Sequence, residues 1–164
     1  MTHEFIELTK ENNIATLSFN RPGKRNALHG PMVLELLTAV NQLKQDNNVR
    51  VLMLKGNGEN FCAGGDIGWM QKIASGSDEE NSDDAQLLAD FLLTLYTFPA
   101  PTIALAHVAS LGGGIGVFAA ADIAVAATDA IFGLPEVKLV ITPSITCPYV
   151  ITAIGERAAH FYFL

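Results

Sequence analysis

Residues 111–122 read LGGGIGVFAAAD, three consecutive glycines set directly before a run of small apolar residues. Glycine weakens a helix interior more than any residue but proline, so a triplet at the mouth of a helix implies that something approaches this backbone too closely for a side chain. CAGGD, residues 62–66, repeats the logic: it follows an apolar strand candidate and opens a helix candidate. A helix start offers free N–H groups and a positive dipole end, and two such starts facing each other would make an oxyanion hole. Tight helix–sheet packing is the commoner reason for such glycines when each cluster is taken alone. The triplet lacks a G-x-G-x-x-G register and has no early acidic ribose partner, which argues against a nicotinamide cofactor.

Working outward, the spacing predicts strands at IELT and IATLSF, joined as a hairpin and broken by NRPGKRNAL. From Pro31, apolar residues recur at Val33, Leu36, Leu37, Val40 and Leu43, one face of a helix ending near QDNN. VRVLMLKG is a fully apolar strand, followed by the loop NGENFCAGGD and a helix beginning near IGWMQKIA. SGSDEENSDD is expected to be a solvated, mobile excursion with no metal site, and AQLLADFLLTLYTF a helix stopped by PAP. TIALAHV is a strand before the triplet, IAVAAT and AIFG are short strands, LPEVKLVITPS is loop-like, and YVITAIGERAAHF is a final helix. Strands alternating with helices imply an α/β protein with helices packed outside sheets.

The 164 residues, 49% hydrophobic and without a repeat or composition shift, are read as one domain, 1–164. A net charge of -7 argues against a nucleic-acid partner, although Lys24 and Arg25 could form a local phosphate patch. Cys62 and Cys147 lack metal-type spacing and fit a reduced, cytoplasmic protein, and the N-terminus lacks the features of a signal peptide. Ile103 to Ala121 approaches the length of a membrane span. His107, Ser110 and the triplet interrupt it, so a buried strand, turn and helix are expected and no membrane partner is.

NRPGKRNAL, NFCAGGDI, LGGGIGV, ADIAVAATDAIFGLPEVKL and AIGERAA, in this order and spacing, resemble the crotonase superfamily of enoyl-CoA hydratases and isomerases. The resemblance implies a crotonase-like ββα spiral core with outer helices, acting on an acyl-CoA thioester and forming a homo-oligomer. It implies that the N–H groups of Gly65 and Gly113 hold the thioester oxygen and that Glu136, in LPEV beside Leu134 and Val137, moves a proton at the α or β carbon. It places the adenine of coenzyme A near the backbone of Ala63, Asp66 and Ile67 and its phosphates near Lys24 and Arg25, with Ala27 also among the residues that bind it. Coenzyme A is part of the substrate, so no separate cofactor and no metal is expected. The passage from Phe132 to Ala159, with PYV at 148–150, is most similar to bacterial methylglutaconyl-CoA hydratase-like members, which suggests acyl or leucine catabolism.

Three departures accompany the resemblance. Many hydratases of the family carry a second glutamate where this chain has Gly116, which leaves hydratase and isomerase both open. Val108 and Val140 stand where glycine is favoured, and a β-branched residue resists positive φ, so a different local backbone is expected there. Family members continue past Leu164 into helices of the trimerisation region, so a chain lacking them is expected to self-associate through bare apolar surface or to be poorly active. The alternative to an active enzyme is a crotonase-like remnant that binds CoA thioesters or a partner subunit.

Overall fold

In the computed structural model, which describes residues 3–136 and 142–163, Ile6–Glu11 (β1) and Ile14–Phe19 (β2) pair as an antiparallel hairpin. The chain turns through Asn12 and Asn13 at φ 49° and 67°, a region asparagine enters more readily than most residues. Val51–Gly56 (β3), Thr102–Ala106 (β4) and Ile123–Ala126 (β6) then add in parallel, giving the order β1-β2-β3-β4-β6. Asp122 anchors the last strand. Its carboxylate accepts from the Thr102 amide and hydroxyl, each at 2.8 Å.

After each parallel strand the chain makes a second, shorter extended segment before its helix. Leu28 bridges Gly65, Cys62 bridges Ser110, and Ala109–Leu111 (β5) pairs in parallel with Ile131–Gly133 (β7). Strand, short strand and helix therefore repeat along the chain, which is the ββα spiral expected from the resemblance. The helices are Gly30–Lys44 (α1), Ile67–Ala74 (α2), Asp78–Tyr96 (α3), Gly113–Ala120 (α4), Cys147–Ile154 (α5) and Glu156–Phe163 (α6). The α1 face of Met32, Val33, Leu36, Val40 and Leu43 is buried against Leu17, Phe19, Leu52 and Leu54 of the sheet and Phe91, Leu92 and Leu95 of α3. Burying one such side chain contributes about 1.5–3 kcal/mol.

Three expectations change. The acidic stretch after Ser77 is helix, because Ser77 and Glu80 form a capping box: the Ser77 hydroxyl accepts from the Glu80 amide at 3.2 Å and the Glu80 carboxylate from the Ser77 amide at 2.8 Å. Asp78, Glu79 and Glu80 in that first turn also suit the positive end of the helix dipole. The final helix is two helices. Gly155, at φ 81°, ends α5, and α6 starts at once.

Val108 adopts the backbone that a β-branched residue resists, with φ 50°. Neighbouring hydrogen bonds hold it there: the His107 carbonyl accepts from Phe61 at 3.1 Å and the Val108 carbonyl from Ile131 at 2.6 Å. Left-handed geometry costs a residue with a Cβ roughly 1–2 kcal/mol, and glycine loses about 0.5–1 kcal/mol in chain entropy. Val108 is 38% exposed, so the apolar cover it loses offsets part of the gain, and Val108→Gly is expected to be as stable as the parent or up to about 0.5 kcal/mol more stable. Urea unfolding reads this directly, and a less stable variant would refute the strain argument. Val140 and Val137 lie outside the described residues.

Candidate active site

The two glycine loops lie side by side. The Cys62 amide donates to the Ala109 carbonyl and the Leu111 amide to the Cys62 carbonyl, both at 2.9 Å, so backbone meets backbone with no room between. A Cβ on Gly114 would stand 2.8 Å from both the Cβ and the carbonyl oxygen of Cys62. Cys62 is fully buried and its thiol is pushed up to about 12 by that burial. Close packing thus accounts for part of the triplet.

Gly65 and Gly113 face a cavity of about 220 Å³, lined with them on one side by Glu136 and Thr142 to Thr146. The bridge between Leu28 and Gly65 uses the Gly64 carbonyl and the Asp66 amide, each at 2.7 Å, which turns the Gly65 N–H to the other side, where α4 begins. Gly113 is the first residue of α4, so its N–H precedes the helical ladder. Neither amide donates to any described residue. The structure therefore brings two unspent N–H donors and the Glu136 carboxyl to one cavity.

Glu136 is held over the triplet. Gly112 has φ 48° and ψ -119°, and a Cβ there would stand 2.5 Å from Glu136 Oε1. Glycine at 112 is what admits the carboxyl. Glu136 Oε2 is buried without a hydrogen-bond partner among the described residues. Burial raises the Glu136 pKa above its ordinary value, opposed by its own backbone amide. A half-buried carboxyl with one unpaired oxygen is suited to exchanging a proton with a bound molecule.

At Gly116, where a second glutamate is common in the resembling family, the space is already occupied. A Cβ would stand 2.5 Å from Thr146 Cγ2 and 3.2 Å from Leu92 Cδ1. Thr146 is itself buried, and its hydroxyl donates to the Pro143 carbonyl at 3.2 Å. The position packs the α5 approach against α4, so a side chain here would have to displace Thr146.

The residues expected at the adenine and phosphates do not line this cavity, although Ala27 and Asp66 adjoin the lining residues Leu28 and Gly65. The Ala63 amide donates to the Arg25 carbonyl at 3.0 Å, which joins the two segments. Lys24 and Arg25 are exposed, while Ala27 is buried and Ile67 is exposed at the first turn of α2. Asp66 has structural work: its carboxylate caps α2 at the Trp69 amide, 3.0 Å away, and pairs with Arg21 at 3.1 Å. The cap, more than the Arg21 contacts, holds its pKa low. The Asp66 amide and carbonyl are also engaged, with Leu28 and Met70.

Several residues around the site escaped the sequence reading. Arg21 clamps the Ala27 carbonyl at 2.6 Å as well as Asp66. Buried Asn26, at φ 55°, donates to the carbonyls of Asn57 and Asn60 and accepts from the Arg21 amide. His29, Trp69, Met70 and Asp84 line the cavity. None of them had a local signal; the one such signal here, a capping residue directly before an apolar helix, belongs to Asp66, which was already a site candidate. Among the described residues no group of three His, Cys, Asp or Glu side chains is placed to hold a metal ion, and no helix is long and apolar enough to cross a membrane.

The enoyl-CoA hydratase/isomerase family profile matches residues 9–164. A crotonyl-CoA hydratase of Syntrophomonas wolfei is 36% identical over 144 residues, covering 87% of this chain and 54% of the relative. Enoyl-CoA hydratase domain-containing protein 2, mitochondrial, of Bos taurus is 40% identical over 124 residues, covering 75% and 41%. The crystal structure of an enoyl-CoA hydratase from Shewanella pealeana superposes with a TM-score of 0.94 at 38% identity, covering 98% of this chain and 60% of that one. The chain thus spans about half the length of the curated relatives it matches.

Proposed function

From the premise that the chain belongs to the enoyl-CoA hydratase/isomerase family, with its crotonase-like α/β fold, we propose that it binds an acyl-CoA thioester and moves a proton on the acyl chain. The observation that carries this is the convergence of two unspent amides, Gly65 and Gly113, with the Glu136 carboxyl at one cavity. The amides donate to the thioester oxygen as it gains negative charge, and Glu136 exchanges the proton. Lys24, Arg25, Ala27, Ala63, Asp66 and Ile67 are the residues proposed at the nucleotide end. Coenzyme A arrives with the substrate, so the reading needs no other cofactor.

Among the described residues Glu136 is the one carboxyl held against the triplet, and Thr146 packs on Gly116, where a second is common in the family. A single carboxyl can carry a proton between two carbons, or can both activate water and return a proton if another group orients the water. Isomerase and hydratase chemistry are both within its reach. Two acyl classes compete for the cavity: an uncharged enoyl chain such as crotonyl, and a carboxylated one such as methylglutaconyl, to which residues 132–159 point by wording alone. A cytoplasmic homo-oligomer completes the proposal. Ile123, Val125, Ile131 and Phe132, each 42–64% exposed, supply an apolar face for a second copy.

Incubation with crotonyl-CoA, followed by loss of enoyl absorbance and mass analysis of the product, tests the activity. Hydration adds one water to the product mass, whereas isomerisation leaves it unchanged. A folded protein that neither converts nor binds crotonyl-CoA would overturn the proposal.

A further inference from the structure

The cavity wall built by α1, α2 and α3 carries a charge that the proton transfer does not use. Trp69 on α2 donates its indole N–H to Asp84 Oδ1 on α3 at 2.8 Å. Both side chains rest on bare backbone at Gly30, where a Cβ would stand 2.5 Å from the Trp69 ring and 2.9 Å from Asp84 Oδ1. The first residue of α1 therefore fixes where the carboxylate sits. Asp84 Oδ2 accepts no hydrogen bond from a described residue and is not among the buried unpaired atoms, so it reaches open space.

Nothing on the described wall offsets this charge. Among the described lining residues are two carboxylates, Asp84 and Glu136, and no lysine or arginine, while Lys138 lies outside the described residues. Lys72 lies over the Trp69 ring at 4.9 Å, yet it makes no ion pair with Asp84 and does not line the cavity. His29 lines it edge-on to Phe5 and Trp69, with ring centroids 4.5 and 5.9 Å away. Burial, then Arg21, lowers the His29 pKa, which leaves the imidazole neutral at pH 7. The rest of this wall is apolar, through Val33, Met70 and Leu88.

We infer that the site selects acyl chains without negative charge, with Asp84 rejecting a carboxylate-bearing thioester and offering Oδ2 to one hydrogen-bond donor. The inference rests on the acyl chain occupying this cavity, as proposed above. It decides between the two acyl classes, favouring the crotonyl type over the methylglutaconyl type. Like charges brought together at a partly desolvated site are strongly disfavoured.

The test uses saturated thioesters, so that no turnover is needed: butyryl-CoA and glutaryl-CoA, which differ in a terminal carboxylate, titrated calorimetrically into the protein and into Asp84→Asn. Asparagine keeps an oxygen for the Trp69 N–H and removes the charge. The expected result is binding of butyryl-CoA at least about tenfold tighter than glutaryl-CoA, with the gap narrowed about fivefold or more in the variant. Raising the salt concentration should narrow the gap in the unaltered protein as well, which preserves the test if Asp84→Asn does not fold. Glutaryl-CoA binding as tightly as butyryl-CoA, or a gap that neither salt nor the variant changes, would overturn the inference and leave the proposed activity standing. If neither thioester bound the folded protein, the proposed function would fail together with it.

Discussion

Glu136→Gln should lower the turnover of an enoyl-CoA thioester by about 10² to 10⁴-fold while the thioester still binds, the loss typical of removing a general acid or base. Glutamine fills the same space over Gly112, where glycine admits the carboxyl to begin with, so the acyl pocket keeps its shape. The same substitution should stabilise the fold at neutral pH. Burial raises the Glu136 pKa above its ordinary value of 4.5, so between the two values the folded protein binds more protons than the unfolded chain. The stability linked to that proton is complete below the unfolded value and is lost as pH rises through the folded one. Glutamine has no proton to lose. The variant should therefore exceed the parent in thermal stability at pH 7, with the difference shrinking as pH falls toward 4.5 and absent below it. Cys147, whose thiol is raised by burial and by the Glu136 charge, should shift toward its ordinary range in the variant. A variant with full turnover would remove Glu136 from the mechanism, and one that is less stable at pH 7 would refute the account of its burial.

Gly113→Pro should cost about 10² to 10³-fold in turnover, the effect of losing one oxyanion donor. Gly113 is the first residue of α4, a position where proline is tolerated because its missing N–H serves no helical bond. Its Cβ would meet only Leu28 Cδ1, at 3.0 Å, the end of a side chain that can give way. The donor is thus removable with modest disturbance of the helix. Circular dichroism and a melting curve establish that the variant folds, and turnover of crotonyl-CoA reads the donor. A folded variant with unchanged turnover would show that Gly113 does not hold the thioester oxygen. Gly65 carries the partner donor in the proposed site, and its pairing with Leu28 through both neighbouring residues makes it the harder position to alter.

The order of elements was legible because its signals are local. Alternating and continuous apolar runs marked β1 to β4, β6 and β7, and Pro31 with its apolar face marked α1. The acidic opening of α3 was misread from its charge, although Ser77 and Glu80, three residues apart, carried the capping signal in plain sequence. Gly155 could have been read as a helix stop and was not. Val108 was out of reach: its left-handed backbone is set by hydrogen bonds to Phe61 and Ile131, distant in sequence, which override a local preference.

For the site, the sequence by itself determined which residue types were available: glycines at two helix starts and a glutamate after a proline, all within short motifs. It could not determine what stood next to them, because every decisive contact joins separate turns of the spiral. Only the tertiary structure set Cys62 against Gly114, so that packing and donor roles divide the triplet between them. Only it put Thr146 where a second carboxyl would need to be, and Glu136 over Gly112 with one oxygen unpaired. Trp69 and Asp84, fifteen residues apart and on different helices, meet over Gly30 of a third. Their charge at the cavity wall is a product of how α1, α2 and α3 pack, and helix packing is fixed by apolar faces that say nothing about which polar side chains the packing will bring together.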